Sequence, residues 1–360
     1  MSKMLQPGAT IGILGGGQLG RMLALAAHKL GLKVHIYCPD PQSPAFEVTP
    51  HKTIALYEDR KALKAFAETV DLVTYEFENV PAATAKAILE FNTPLAPGAK
   101  ALATAQDRLI EKTFIEQAGV PVAPFANVES QAELESAVQT IGLPAVLKTR
   151  RFGYDGKGQK FLRQPEDVTG AFKELGENPC VLEGFVSFDR EISVIIARTA
   201  SGETAAYDPA ENVHQDAILH TSTVPAQISD HVKQDALGAA AKIANALDYV
   251  GVMGVEFFVT DANDHLVVNE IAPRVHNSGH WTEAACLISQ FEQHMRAIAN
   301  WPLGDTTRHS DVVMTNLLGN DINQVTEAPT PHTMVHHYGK YEVRPGRKLG
   351  HINQISPKNS

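Results

Sequence analysis

Lys148 and the glycine-rich stretch that follows it have residue types suited to holding a nucleoside triphosphate. Lys148 ends an apolar run at 145–148, and the stretch 152–159 reads FGYDGKGQ. A flexible glycine loop can turn its N–H groups toward phosphate oxygens while a strand lysine holds the phosphates. The stretch lacks the Gly-Lys-Ser/Thr of a Walker A loop. It therefore predicts triphosphate binding by another kind of glycine loop, and the alternative is an ordinary surface turn.

Two carboxylates stand inside otherwise apolar runs. Glu256 lies within 252–260, and Glu270 follows Asn269 within 265–271. Burying a carboxylate is costly unless it is paired or bound to a metal. Two carboxylates and an amide oxygen without a nearby thiolate suit Mg²⁺ better than Zn²⁺. We therefore predict a magnesium site at this pair; the alternative is that one or both side chains face solvent.

A glycine turn near the start of the chain has the form G-x-G-x-x-G. Gly15, Gly17 and Gly20 follow the strand-like run 10–14, and Asp40 comes at the end of the next strand-like run. This form fits a dinucleotide fingerprint. It equally fits any phosphate held at a helix N-terminus, or a tight turn that needs glycine for steric reasons alone. The motif thus indicates phosphate more securely than NAD.

Basic and polar side chains gather in two later segments, of which the first follows the Glu270 run directly. The members of the first are Arg274, His276, Asn277, Ser278 and His280, and those of the second are Lys340, Arg344, Arg347 and Lys348. Basic groups beside a metal and nucleotide site can hold an anion and stabilise charge that develops on it. The alternative for the second cluster is a solvated basic face.

The elements that must position these residues follow two patterns. In the first hundred residues, apolar runs at 10–14, 33–37, 52–56 and 72–75 alternate with helical stretches such as 18–30, which predicts a parallel sheet with crossover helices. Further on, helices are predicted at 108–117, 130–142 and 229–247, and strands at 145–148, 180–183, 191–198, 252–260 and 265–271. A turn at 261–264 suits a hairpin between the last two strands. The tail at 312–355 is strand-rich.

These patterns predict a mixed α/β and α+β protein with three domains. We place an N-terminal parallel α/β substrate-binding domain at 1–98 and a nucleotide- and metal-binding region at 99–300. Within this region, a central lobe at about 120–190 carries the glycine-rich loop, and a metal-binding lobe follows. A small strand-rich C-terminal domain follows at 301–360. A chain of 360 residues exceeds one ordinary core.

The composition and the N-terminus argue against a nucleic-acid-binding, a membrane-spanning and a secreted protein. A formal net charge of −10 argues against a nucleic-acid partner, which requires a basic face. Charged residues interrupt the longest apolar runs, so no membrane span is expected. The three cysteines are odd in number and far apart, so we expect structural thiols. The N-terminus lacks the pattern of a signal peptide, and we expect a cytoplasmic protein.

Taken together, the motifs resemble the N5-carboxyaminoimidazole ribonucleotide synthetase family of ATP-grasp enzymes in purine biosynthesis. The resemblance extends from Gly12 to about Asn353, and its most specific stretches are 15–22 (GGGQLGRM), 75–80 (YEFENV), 153–159 (GYDGKGQ), 269–280 (NEIAPRVHNSGH) and 344–348 (RPGRK). The fold that the resemblance implies is an ATP-grasp fold with an N-terminal Rossmann-like parallel-sheet domain and a small strand-rich C-terminal domain.

The resemblance implies a reaction in which ATP phosphorylates bicarbonate to carboxyphosphate. The exocyclic amine of 5-aminoimidazole ribonucleotide then captures the carboxyl group, and ADP and phosphate leave. ATP and Mg²⁺ would be the cofactors, 5-aminoimidazole ribonucleotide and bicarbonate the substrates, and the active form a homodimer.

The resemblance also assigns roles to individual positions. ATP would be held by Arg108, Lys148, Gly153, Tyr154, Asp155, Gly156, Lys157, Gly158, Gln159, Glu183, Gly184, Phe185, Val186, Glu191, His214, Asn269 and Glu270. Magnesium would lie on Glu256 and Glu270. The ribonucleotide and bicarbonate would face Gln18, Leu19, Glu76, Tyr154, Arg274, His276, Asn277, Ser278, Lys340 and Arg347.

Three other functions remain open at this stage. An NAD-dependent oxidoreductase would explain the first glycine turn but not Lys148, the second glycine stretch or the carboxylate pair. The second is another ATP-grasp ligase, one that uses formate or an amine. Only the resemblance at 75–80 and 276–280 argues against it. A non-catalytic nucleotide-binding regulator would not need both basic clusters beside a carboxylate pair.

Overall fold

The structure is a computed structural model that describes residues 4–153, 157–260, 265–326 and 329–358. The helices are α1 Gln18–Lys29, α2 Arg60–Ala67, α3 Ala82–Glu90, α4 Ala99–Ala105, α5 Arg108–Gln117, α6 Gln131–Ile141, α7 Ala171–Glu174, α8 Asp230–Ala246, α9 Thr282–Ala285 and α10 Gln290–Ile298. The strands are β1 Thr10–Leu14, β2 Lys33–Tyr37, β3 His51–Thr53, β4 Leu72–Tyr75, β5 Phe125–Val128, β6 Ala145–Thr149, β7 Gln159–Leu162, β8 Cys180–Gly184, β9 Arg190–Arg198, β10 Thr204–Ala206, β11 Ala210–Gln215, β12 Ile218–Val224, β13 Gly251–Thr260, β14 His265–Ala272, β15 Ser310–Leu318, β16 Thr333–His337 and β17 Lys348–Pro357.

The N-terminal sheet has the strand order β3-β2-β1-β4, and all its pairs are parallel. Ile11, Ile13 and Leu14 of the central strand are fully buried, as expected of a strand covered on both faces. The predicted strand at 52–56 is wrong in its bounds, because β3 ends at Thr53. Beyond it Ile54 is 50% exposed, so the apolar run continues on the surface as a loop.

A second, antiparallel sheet has the order β5-β8-β6-β7. Its strand β6 carries Lys148, which pairs in register with Val181 of β8, and β8 carries Glu183. Helix α6 packs on β5 and β8. The Ser130 hydroxyl accepts the Glu133 N–H and so begins α6.

The third sheet has nine strands and holds the carboxylates. Its order is β14-β13-β9-β11-β12-β15-β17-β16, with β10 paired to β9 outside this path. Every pair in this sheet is antiparallel. Helix α8 packs on β9 and on the β13–β14 pair. The predicted turn at 261–264 lies outside the described residues.

The expected combination of a parallel α/β sheet with antiparallel, strand-rich regions is therefore confirmed. Strands β15, β16 and β17 of the tail extend the same sheet that carries the carboxylates. The division into 1–98, 99–300 and 301–360 stays a prediction. Cys38, Cys180 and Cys286 are buried free thiols, as expected. Across the described ranges, no helix combines the length and the apolar character that crossing a bilayer requires.

Candidate active site

A cavity of about 500 Å³ is lined by residues of the second and third sheets, of helices α1 and α5, and of the segments that follow β4, β6 and β14. It brings together sixteen of the predicted site residues, which are Gln18, Leu19, Glu76, Arg108, Lys148, Gly153, Lys157, Gln159, Glu191, His214, Glu256, Asn269, Glu270, Arg274, His276 and Asn277. Residues separated by up to 259 positions in the chain thus converge on one space (Gln18 to Asn277).

Other predicted positions lie outside this lining. Among the described residues these are Gly158, Glu183, Gly184, Phe185, Val186, Ser278, Lys340 and Arg347. Tyr154, Asp155 and Gly156, which the sequence assigns to the nucleotide loop, fall outside the part of the chain that the structure describes.

Glu256 and Glu270 are direct partners in the antiparallel β13–β14 register. Side chains at such positions share one face of a sheet. Burial, and then the charge of Glu270, raise the pKa of Glu256 to about 7. The Asn269 amide lies 3.5 Å from Glu256 Oε2, and Arg108 Nη1 lies 3.1 Å from Glu270 Oε2. Two close carboxylates with an adjacent amide are the hard oxygen ligands that a divalent cation such as Mg²⁺ prefers.

Arg108 and Glu111 reach the same region from helix α5. The helix begins at Arg108 because the Asp107 carboxylate caps it, accepting the N–H groups of Leu109 and Ile110. One turn later, Glu111 accepts the N–H of Ile271 at 2.7 Å. Burial, and then the charge of Glu270, raise the pKa of Glu111 to about 8. The sequence analysis missed Glu111, whose only signal was a charged residue on the apolar face of a predicted helix.

Lys148 belongs to a buried group of two ammonium ions and one carboxylate. The Nζ atoms of Lys148 and Lys112 each lie 3.0 Å from Glu183 Oε2. Burial lowers the pKa of Lys148, against the attraction of Glu183. The two lysines in turn hold the pKa of Glu183 below its ordinary value, although burial opposes this. The side chain of Lys112 is 1% exposed, and it fixes Glu183 so that Lys148 is oriented at the cavity wall. Lys112 was not predicted from the sequence.

The first glycine turn is filled by a carboxylate from the neighbouring strand. Glu76, directly after β4, accepts the N–H of Gly17 at 2.5 Å and that of Gly20 at 2.8 Å. A Cβ atom at Gly15 would lie 2.3 Å from Glu76 Cγ, and Gly15 has φ +109°, so this position requires glycine on both grounds. A dinucleotide pyrophosphate would need these same amides and would meet the Glu76 charge. The turn therefore fits a carboxylate-capped helix better than an NAD site.

The loop after β14 is held by hydrogen bonds that fix its polar side chains. Arg274 Nε donates to Glu78, whose pKa Arg274 lowers to about 2 against the effect of burial. His276 Nδ1 lies 2.8 Å from the Ser278 hydroxyl, and the Asn277 amide exchanges hydrogen bonds with Asn316 at 2.9 and 2.8 Å. Burial, and then Arg274, lower the pKa of His276 to about 3. Arg274 therefore carries positive charge in this loop, whereas His276 is neutral.

Two further predicted residues form a pair on the nine-stranded third sheet. His214 Nδ1 lies 2.7 Å from Glu191 Oε2, and both side chains line the cavity. This carboxylate raises the pKa of His214 although burial opposes the shift. Lys348, predicted only as a member of the second basic cluster, also lines the cavity. Glu78, Phe77, Ala217 and Leu219 line it too and were not among the predicted site residues. Glu78 lies within the 75–80 stretch, which was the available signal.

Lys340 and Arg347 lie beyond the lining, on the loop between β16 and β17. Lys340 Nζ lies 5.8 Å from the centre of the Tyr338 ring. Burial, and then Arg347, lower the pKa of Lys340 to about 8, while the charge of Glu76 acts in the opposite direction. Arg347 Nη1 donates to the Glu342 carbonyl at 3.0 Å. Their predicted roles stay predictions.

Comparison with known protein families finds three matching models in chain order. Residues 8–106 match the ribonucleotide synthetase preATP-grasp domain, 113–291 match the ATP-grasp domain, and 312–360 match the phosphoribosylaminoimidazole carboxylase C-terminal domain.

Individual relatives match over nearly their whole length. The N5-carboxyaminoimidazole ribonucleotide synthase of Brucella melitensis is 51% identical over 98% of this chain and 98% of the relative. The structure of the N5-carboxyaminoimidazole ribonucleotide synthetase of Thermus thermophilus is similar with a TM-score of 0.90 at 46% identity, covering 96% of this chain and 93% of the other. The N5-carboxyaminoimidazole synthase of Aspergillus clavatus, in complex with ADP and 5-aminoimidazole ribonucleotide, has a TM-score of 0.90 at 31% identity, with 98% and 94% covered. This chain belongs to the N5-carboxyaminoimidazole ribonucleotide synthase family of ATP-grasp enzymes.

Proposed function

We propose that the protein uses ATP and bicarbonate to carboxylate the exocyclic amine of 5-aminoimidazole ribonucleotide. The products are N5-carboxyaminoimidazole ribonucleotide, ADP and phosphate. One observation carries the proposal: the Glu256–Glu270 pair lines the same cavity as Gln18, Leu19 and Glu76, which lie at the capped glycine turn. A nucleotide held at the carboxylates would therefore lie beside an acceptor held at the turn, as transfer between them requires.

The nucleotide side of the cavity has the cations that a triphosphate needs. Arg108 and Lys148 line it together with Gly153, Lys157 and Gln159 of the glycine-rich stretch. Lysine and arginine side chains neutralise phosphate charge during phosphoryl transfer. The adenine would lie toward Glu183 and Gly184 of β8, which pairs with the Lys148 strand, and toward Phe185 and Val186, which follow β8.

The carboxylate pair fits Mg²⁺ by its chemistry. Glu256 has its pKa raised to about 7 by burial and by Glu270, so the pair carries a charge repulsion that a divalent cation would relieve. Glu256 and Glu270 would hold the ion, with Asn269 next to them. When bound, Mg²⁺ would neutralise negative charge on the phosphates of ATP.

The residues of the loop after β14 suit an anionic intermediate. Bicarbonate oxygen attacks the γ-phosphorus of ATP, which gives carboxyphosphate and ADP. The amine of the ribonucleotide then attacks the carboxyl carbon, and phosphate leaves with the amine proton. Arg274 would stabilise the negative charge, because His276 is neutral and adds none. Gln18, Leu19 and Asn277 would position the ribonucleotide, and Lys340 with Arg347 would contact bicarbonate or carboxyphosphate.

The oligomeric state is expected from the family resemblance, and the location from the sequence of the N-terminus. We expect a homodimer, which light scattering after size-exclusion chromatography would detect as a mass near 78 kDa, twice the 39.0 kDa of one chain. We also expect a cytoplasmic location, where ATP and the intermediates of nucleotide synthesis are available.

The decisive assay measures phosphate release in matched mixtures. The complete mixture contains ATP, Mg²⁺, bicarbonate and 5-aminoimidazole ribonucleotide, and each control omits one component. We expect fast release only in the complete mixture and an equal yield of carboxylated product. Release that is independent of the ribonucleotide and of bicarbonate would contradict the proposal and point to a plain ATPase.

A further inference from the structure

A second cluster of metal-ligating side chains lies outside the active-site cavity. Glu283 comes from helix α9, and His336 and His351 come from the neighbouring strands β16 and β17, where they are paired in register. One ligand atom of each residue lies within 4.8 Å of the others. None of these three described residues lines the active-site cavity.

The spacing of the three ligand atoms differs from that of a tight hydrogen-bonded group. Glu283 Oε2 lies 3.3 Å from His336 Nδ1 and 3.5 Å from His351 Nε2. A charge-assisted hydrogen bond is about 2.7–2.9 Å long. Ligands that bind a tetrahedral ion at about 2.0–2.1 Å stand about 3.3–3.5 Å from one another. The two separations therefore match the edges of a metal site.

Two of the ligand atoms are buried without a hydrogen-bond partner of ordinary geometry. These atoms are Glu283 Oε2 and His351 Nε2, and the whole His351 side chain is 0% exposed. Leaving a buried carboxylate oxygen and an imidazole nitrogen unsatisfied is costly. A bound cation would satisfy both atoms at once.

Neighbouring groups hold His351 in the orientation that metal binding requires. Its Nδ1 lies 2.9 Å from the hydroxyl of Tyr338, which is fully buried. An Nδ1–H donated to Tyr338 leaves the lone pair of Nε2 directed at Glu283, the usual arrangement around a metal-binding imidazole. The His280 ring stacks on His351 with 4.8 Å between ring centres, which restricts rotation further.

The charge states also suit a cation. Burial lowers the pKa of His351, so its imidazole is neutral at neutral pH. The carboxyl group of Glu283 has its pKa lowered to about 2 by the two imidazoles, although burial opposes this. Two imidazoles and one carboxylate are a zinc-type ligand set and suit Mg²⁺ poorly.

We propose that Glu283, His336 and His351 bind one Zn²⁺ ion at a site separate from the ATP cavity. The ion joins α9 to β16 and β17 at the base of the loop that carries Lys340 and Arg347. Its effect is structural: it fixes the two strands from which this loop emerges. The side chains of His336 and Glu283 are 13% and 16% exposed, which gives the ion a route from solvent.

The test is a titration of the metal-free full-length protein with Co²⁺, whose visible absorption reports low coordination numbers. Millimolar Mg²⁺ is present, and a Glu256→Gln/Glu270→Gln variant is titrated alongside. We expect one equivalent to bind with an intense visible band, both in the parent and in that variant. Loss of the band in the double variant would overturn the proposal, because it would assign the ion to the active-site carboxylates.

Single variants locate the site. His336→Gln and His351→Gln should each lose the band, whereas His337→Gln should keep it, because His337 is the exposed neighbour on the same strand. Circular dichroism checks that each variant is folded. If His351→Gln unfolds, the band of His336→Gln decides the outcome, because His336 is partly exposed. Separately, Zn²⁺ should raise the melting temperature of the parent by about 3 °C or more and leave the melting temperature of His336→Gln unchanged. A band or a shift of parental size in His336→Gln would overturn the proposal.

Discussion

Glu256 and Glu270 face each other across the β13–β14 pair, and the charge of Glu270 adds to burial in raising the pKa of Glu256 to about 7. Such an arrangement is unfavourable in the free protein and favourable once a divalent cation lies between the carboxylates. We therefore expect the pair to affect the stability of the protein, its response to pH and its activity.

The first prediction concerns removal of either charge. Glu256→Gln and Glu270→Gln should each lower turnover by about a hundredfold or more, because a metal supplies several kcal/mol of charge stabilisation. The fold should persist, since an amide keeps the volume of the side chain. The measurement is steady-state turnover at saturating Mg²⁺, with the exposed Glu203→Gln as the control. Near-normal turnover in either variant would show that this residue is not a ligand.

The second prediction follows from the same pKa shift. The folded protein holds the Glu256 proton more tightly than the unfolded chain, whose pKa is near the ordinary 4.5, so stability from this group falls as pH rises from about 4.5 to 7. Glu256→Gln lacks this loss. In metal-free buffer, the melting temperature of the variant minus that of the parent should increase between pH 5 and pH 8. A difference that is constant with pH would refute the linkage.

The third prediction concerns nucleotide choice. ATP with Mg²⁺ should raise the melting temperature, by the equivalent of about 2.7 kcal/mol at a hundred times its dissociation constant. NAD and NADP should produce no shift, because Glu76 occupies the amides that a pyrophosphate would use. Thermal scans with each ligand at equal concentration make the comparison. A shift from NAD together with none from ATP would contradict the ligase assignment.

The fourth prediction concerns the basic loop. Lys340→Ala and Arg347→Ala should each lower turnover roughly a hundredfold if the residue contacts the developing anion, a cost on the order of 3 kcal/mol. Arg344→Ala is the matched control, because this arginine lies on the same loop with its side chain 61% exposed. Screened surface charges contribute little. Turnover within about twofold of the parent in both variants would show that the two residues are solvated surface groups that do not contact the anion.

Local sequence patterns predicted the elements well. Helix α5 and strand β1 have the predicted bounds, and the carboxylate pair follows from two adjacent apolar strands with polar interruptions. Strand β3 was misplaced because apolar residues beyond Thr53 are exposed. Hydrophobicity alone does not distinguish an edge strand from the loop that follows it.

Contacts between distant segments could not be predicted from these patterns. Glu76 caps the glycine turn only because β4 pairs with β1 in parallel register. Lys112 reaches Glu183 only because α5 lies against the sheet of β8. The substrate assignments depended on the family resemblance, since no local pattern specifies an imidazole ribonucleotide or bicarbonate.

The proposed reaction activates bicarbonate by phosphorylation before the amine captures it, and an isotope measurement tests this order of steps. The reaction is run with ATP, Mg²⁺, 5-aminoimidazole ribonucleotide and bicarbonate that carries ¹⁸O at every oxygen, and the phosphate is analysed by mass spectrometry. Our account predicts one ¹⁸O atom in each phosphate released, because the oxygen that bridges carbon and phosphorus comes from bicarbonate. Phosphate without ¹⁸O, formed together with carboxylated product, would contradict it.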